Sequence, residues 1–244
     1  MQNTKVGKII YTFIVILFLF FIQTFASKSG GFIADLFDYT PIDKDGTFMY
    51  ITIHHIVQML LGLIVIFIIK KKKNLNFFLK PKMNKTGILY TLIFSVVILV
   101  YVIISYGVGY KIGSISPYEY KLNLTNVIGT LGFQLFLSGT SEEIMFRALP
   151  ITILAALNYE EDKRSFILEI IIASLLFSIA HISWTVFPFE VSFSWFQLIY
   201  AFILGIAYGI TYVKSKSVIY PMVMHGLGNF FMVGIGYIFM IIMK

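Results

Sequence analysis

The chain has 244 residues, 58% hydrophobic and 13% charged, with a formal net charge of +7. That balance lies outside the range of soluble domains and predicts a polytopic membrane protein. Cysteine is absent, which excludes disulfides, thiolate metal sites, a thiol nucleophile and thiol lipidation. The lysines sit beside apolar runs, where they read as topology determinants and anionic-lipid contacts, not as a nucleic-acid surface.

Apolar runs able to cross about 30 Å of hydrocarbon occupy residues 9–26, 48–69, 87–108, 127–157, 166–184, 194–213 and 218–243. An all-α, polytopic transmembrane helical bundle of seven spans follows, or of eight if the fourth divides. The chain reads as one integral membrane domain (1–244), with variable amino-terminal spans over 1–124 and a motif-bearing core over 125–235. The first run has features of a signal peptide, with Lys5 and Lys8 ahead of it and Ala26-Ser27 behind. Its apolar stretch exceeds a usual h-region, so it reads as a retained span. In the second run, His54 and His55 read as packing residues with no partner spacing of their own. The fourth run is too long for one straight span and contains Gly129, Gly132, Gly139 and Pro150. Pro150 removes the hydrogen bond to the Phe146 carbonyl and predicts a kink or a split there.

Glu169 falls in the first turn of the fifth span, where an acid suits the helix dipole. In the sixth, Gly205 and Gly209 predict close helix contact, within the bundle or in a dimer. With the amino terminus inside, thirteen of the 19 Lys and Arg residues fall in the loops 1–8, 70–86, 158–165 and 214–217. That asymmetry predicts a cytoplasmic amino terminus.

Three polar clusters interrupt the apolar background: Glu142-Glu143 with Arg147, Phe177 with His181, and His225 with Asn229. Ionisable groups inside a bilayer are costly, and their default reading is functional. Residues four apart share a helical face, so Glu143 pairs with Arg147 while Glu142 turns about 100° away and is left for acid–base chemistry. The same spacing sets the Phe177 ring beside the His181 imidazole. It also sets His225 and Asn229 on one face, as two donors able to converge on a developing oxyanion, with Gly226 and Gly228 admitting another backbone. Each cluster also has a structural reading as interhelical polar packing.

Together the patterns Glu-Glu-x-x-x-Arg, Phe-x-x-x-His and His-x-x-x-Asn, in this order and over about residues 125–235, resemble the CAAX protease and bacteriocin-processing (CPBP, or Abi) family of intramembrane endopeptidases. Ser217 and Pro221 ahead of His225 are also similar to that family. The resemblance implies that Glu142 and His181 activate a water, that Glu143 and Arg147 support them, and that His225 and Asn229 form the oxyanion hole, with no cofactor. Glu142, His181 and His225 are also a two-histidine, one-carboxylate set of the kind that binds catalytic zinc. No His-Glu-x-x-His helix is present, and Asn229 suits an oxyanion donor better than a zinc ligand.

The family resemblance implies a membrane-associated peptide or protein substrate, cut near the membrane surface. The small, cysteine-free, Lys/Ile-rich chain reads as a bacterial cell-membrane protein acting on a leader, bacteriocin or signalling peptide, or in self-immunity. A catalytically silent scaffold that regulates another protein is the alternative from a different class. Straight helices, at about 1.5 Å per residue, would leave Glu142, His181 and His225 at different depths, so tilt, the Pro150 kink or a longer fifth helix is expected to bring them level.

Overall fold

The computed structural model describes residues 5–157 and 166–243. Residues 1–4, the loop 158–165 and the terminal Lys244 lie outside the described residues.

Among the described residues seven helical elements follow in order: α1 (Lys5–Ala34), α2 (Met49–Lys73), α3 (Lys85–Lys111), α4 (a rod over 124–157), α5 (Ile167–Ile179), α6 (Trp195–Ser215) and α7 (Ile219–Ile242). A two-stranded antiparallel hairpin, β1 (Ser183–Thr185) and β2 (Glu190–Ser192), joins α5 to α6. Among the described residues five helices, α1, α2, α3, α6 and α7, are long and apolar enough to cross a membrane. The all-α membrane bundle is therefore present, with a small hairpin added.

Local chemistry places the helix starts. Asn84, Asn123 and Ser194 each accept a backbone N–H three residues on, from Gly87, Asn126 and Gln197, which satisfies one of the orphan donors at a helix amino terminus. At α2 the cap comes from the preceding loop: the Asp43 carboxylate accepts from the backbone of Thr47 at 2.8 Å and of Phe48 and Met49 at 2.7 Å.

Two boundaries differ from the sequence reading. The fifth apolar run stops being helical at Ile179, and the segment from Ser183 turns back as the hairpin. At about 1.5 Å per residue, its 13 residues rise about 20 Å. The fourth run does not split at Pro150. It continues as α-helix from Leu124–Phe133, passes through a π turn at Gln134–Ser138 and a short α segment at Gly139–Glu143, makes a second π turn at Ile144–Ala148, and resumes as α-helix over Leu149–Leu157. The carbonyl that Pro150 leaves without its helical donor, that of Phe146, accepts instead from Arg147 Nη1 at 3.0 Å. A side chain thus replaces the missing backbone donor, and the rod stays continuous.

The rod α4 sits at the centre, packed by α2, α5, α6 and α7, while α1 packs on α2 and α5 also on α6. The pairing of α5 with α6 uses the predicted glycines: a Cβ on Gly205 would stand 3.0 Å from Ser174, and one on Gly209 2.9 Å from Ile170. Their contact is inside the bundle. Large apolar side chains such as Phe13, Leu92, Val96 and Ile203 face outward, as a lipid-facing belt requires.

Candidate active site

The site forms where α4 and α7 touch backbone to backbone. A Cβ on Gly139 would lie 2.7 Å from the Met222 carbonyl and 2.8 Å from the Gly226 nitrogen, and one on Gly226 only 2.5 Å from the Leu135 carbonyl. Any larger residue at either position would hold the helices apart. Between the two π turns the short segment ends at Glu142 and Glu143, so both carboxylates are presented next to His225. π turns of this kind recur at functional sites.

Glu143 and Arg147 are fully buried, with Glu143 Oε2 3.1 Å from Arg147 Nε, the pair that their spacing predicts. The contact is an ion pair whose N–H is misaligned for a hydrogen bond. The guanidinium lies between two rings, 4.4 Å from the Phe177 centroid and 5.5 Å from that of Tyr208, and this cation–π contact helps to offset desolvation. The other carboxylate oxygen of Glu143 accepts from His225 Nδ1–H at 2.9 Å. Tyr208 stacks on the His225 ring at 5.1 Å, and the Phe177 edge meets it at 5.8 Å. His225 is therefore fixed in rotation, with Nε2 aimed at Glu142 Oε2, 3.7 Å away.

The second oxygen of Glu142 faces a residue for which the sequence offered only a packing role. His55 Nε2 stands 3.7 Å from Glu142 Oε1, and His55 Nδ1 is 2.6 Å from Ser141 Oγ. The Ser141 hydroxyl donates its proton to the Ser138 carbonyl at 3.0 Å, so toward His55 it acts as acceptor. Neutral His55 then carries its hydrogen on Nδ1 and presents an Nε2 lone pair to Glu142. The intramembrane His pair at 54 and 55 was the available signal; only the partner on another helix was missing from the sequence.

His181 follows the end of α5. Its Nδ1 pairs with the Phe177 carbonyl at 2.9 Å, and its ring meets the Phe177 edge at 4.9 Å. His181 and Glu142 line the same cavity of about 840 Å³, bounded by α1, α2, the end of α5 and the hairpin. Asn229 lies one turn beyond His225 and donates from Nδ2 to Ser138 Oγ at 2.9 Å. The structure thus brings Glu142, Glu143, Arg147 and His225 into one cluster, sets His181 on the same cavity, and ties Asn229 to the rod one turn before Glu142. Among the described residues no group of three His, Cys, Asp or Glu side chains is disposed to hold a metal ion.

The depth mismatch expected from straight helices has a specific resolution. Thr152 Oγ1 bonds the Tyr212 hydroxyl at 2.8 Å, Tyr212 reaches the Phe77 carbonyl at 3.2 Å, and the Val218 amide bonds the Phe78 carbonyl at 3.0 Å. These bonds set Thr152 of α4 level with the start of α7, and the last turn of α4 runs on past that level. At about 1.5 Å per residue, Glu142 rises about 15 Å above it and His225 about 10 Å, a difference that side chains span.

Residues 124–231 match the family described as type II CAAX prenyl endopeptidase Rce1-like. Over that segment the chain is similar to the CAAX protease family. The match takes in every residue of the three motifs and none of α1–α3. Comparison with curated proteins and with solved structures gives no match. That similarity supports an intramembrane protease in general type, and the apolar helices indicate an integral membrane protein.

Proposed function

We propose that this protein is a CAAX-family endopeptidase of the glutamate type, in which Glu142 is the general base. The observation that carries the reading is the Glu142 carboxylate at the base of a cavity, flanked at 3.7 Å by His55 and by His225. Those separations exceed a direct hydrogen bond and suit a water bound off the line between the groups. Glu142 takes a proton from this water, with His181 orienting it from the cavity wall. The hydroxide attacks the scissile carbonyl, and Glu142 returns the proton to the departing amine.

His225 and Asn229 hold the oxyanion of the tetrahedral intermediate. Glu143 already accepts the Nδ1–H of His225, so an Nε2–H facing the substrate requires the imidazolium, with Glu142 as the balancing charge. Arg147 in turn balances Glu143 and keeps it ionised beside His225. His55 is a positioning residue: on the side opposite His225 its Nε2 lone pair accepts a hydrogen from water that also meets Glu142. Side chains and water suffice for this cycle, without a cofactor. The substrate we assign is a leader, bacteriocin or signalling peptide of a bacterial host, cleaved in maturation or self-immunity.

The test uses purified protein and a quenched reporter peptide. Glu142→Gln is expected to keep the wild-type melting temperature and to lose cleavage by about 10²-fold or more; full cleavage by that variant rejects the assigned base. Chelator treatment is expected to leave the rate unchanged, whereas a loss reversed by zinc would reassign Glu142, His181 and His225 as metal ligands. Full rescue of a deletion strain by the Glu142→Ala, His181→Ala double variant would make the protein a scaffold instead.

A further inference from the structure

The cavity that holds Glu142 has a direction. Along α1 its wall runs from Phe20 to Asp35, just beyond the helix end, a rise of about 22 Å at 1.5 Å per residue. Gln23 donates to the Met145 carbonyl at 3.0 Å and so marks the level of the catalytic segment. That level lies about 16 Å below the Ala34 end of α1 and about 27 Å above its start. The α2 part of the wall begins at Tyr50, in its first turn, and the hairpin supplies Ser183, Trp184 and Thr185 at the mouth. Lys28 of α1 reaches the Trp184 carbonyl at 2.9 Å and lies 4.4 Å from its ring centroid. The cavity therefore leads toward the end of the bundle where α1 and α5 finish and α2 begins.

The opposite end carries the cations. Lys8, Lys70–Lys73, Lys80, Lys82, Lys85, Lys214 and Lys216 all lie there, and the described residues of those segments include no acid. Bonds across that end tie its loops together: the Val218 amide to the Phe78 carbonyl, and the Tyr220 hydroxyl to the Lys82 carbonyl at 2.8 Å. The cavity end instead has Asp35, Asp38, Asp43, Asp45, Glu119 and Glu190, with Lys28, Lys44, Lys111 and Lys121 near them. Lysine-rich short loops stay in the cytoplasm during membrane insertion, while acids contribute little to orientation.

From the cavity direction and this asymmetry together, we infer that the active site opens on the extracytoplasmic face and takes an exported polypeptide segment as its substrate. The inference rests on the proteolytic reading above. An extended, apolar stretch enters past Trp184 and Phe32 and lies against Phe20 and Phe177 to reach Glu142, without crossing the cytoplasmic end. A prenylated tail displayed in the cytosol faces the closed, lysine-bearing end.

The absence of cysteine makes the test clean, because each single-cysteine variant carries one reporter. In sealed bacterial spheroplasts, Thr185→Cys at the mouth and Lys44→Cys in the same end's α1–α2 loop are expected to react with a membrane-impermeant maleimide before permeabilisation. Lys72→Cys is expected to react only afterwards. The reverse pattern overturns the inference, and Lys44→Cys decides it if Thr185→Cys fails to fold. In the same spheroplasts, wild type but not Glu142→Gln is expected to cut an impermeant apolar reporter peptide added outside, within about twofold of the rate after permeabilisation. A rise of tenfold or more on permeabilisation overturns the sidedness and leaves the protease standing. No cutting by wild type on either side sinks the protease reading, and the labelling still fixes which face the cavity meets.

Discussion

Glu142 sits between two imidazoles whose far nitrogens are already assigned, Nδ1 of His225 to Glu143 and Nδ1 of His55 to Ser141. Each histidine therefore offers only Nε2 to the carboxylate, and the number of protons in the three-residue set decides whether Glu142 is free to act as a base. Replacing His55 with Gln keeps a side chain able to hydrogen-bond but removes its titration. His55→Gln is expected to lower kcat by about 10-fold to 10²-fold and to displace the acid limb of the pH–rate profile. An unshifted profile with normal kcat would leave His55 a packing residue. Arg147 shows the same economy of placement, since one guanidinium meets Glu143, two aromatic rings and the carbonyl freed by Pro150.

Among the elements, α2 depends on the loop before it, because Asp43 and not a residue of the helix caps its amino terminus. Burial pushes the Asp43 carboxyl up, but the Met49, Phe48 and Thr47 amides and the Thr47 hydroxyl outweigh it and hold its pKa below the ordinary 3.8. A carboxyl depressed on folding adds stability in full above about pH 3.9 and loses it as the pH falls through its lower folded value. Protection of the Thr47, Phe48 and Met49 amides against hydrogen exchange is therefore expected to fall below that pH, and in Asp43→Asn to be low at neutral pH as well. Equal protection in both proteins at pH 7 would remove the capping role. The effect reaches the site, since His54 and His55 lie in the first two turns of the helix that Asp43 starts.

For the whole molecule, the decisive contact is the seam between α4 and α7. Gly139→Ala puts a methyl against backbone atoms of Met222 and Gly226 that have no rotamer to yield, and is expected to cost about 1–3 kcal/mol. Gly132 lies on the same rod with open space around its Cβ position, so Gly132→Ala is expected to be neutral or to stabilise by about 0.4–1 kcal/mol. Thermal unfolding in detergent checks the pair, and equal effects at the two positions would refute the seam. Hydropathy and charge determined the membrane bundle, the approximate helix positions and the lysine-bearing end. Four-residue spacing determined the Glu143–Arg147 pairing, because both periodicity and charge are written along one chain. Tertiary structure alone decided that His55 stands against Glu142, that α5 gives way to a hairpin, that the rod passes through two π turns, and where the cavity opens. Those features depend on contacts between helices far apart in sequence, and neither spacing nor composition carries the distance between them.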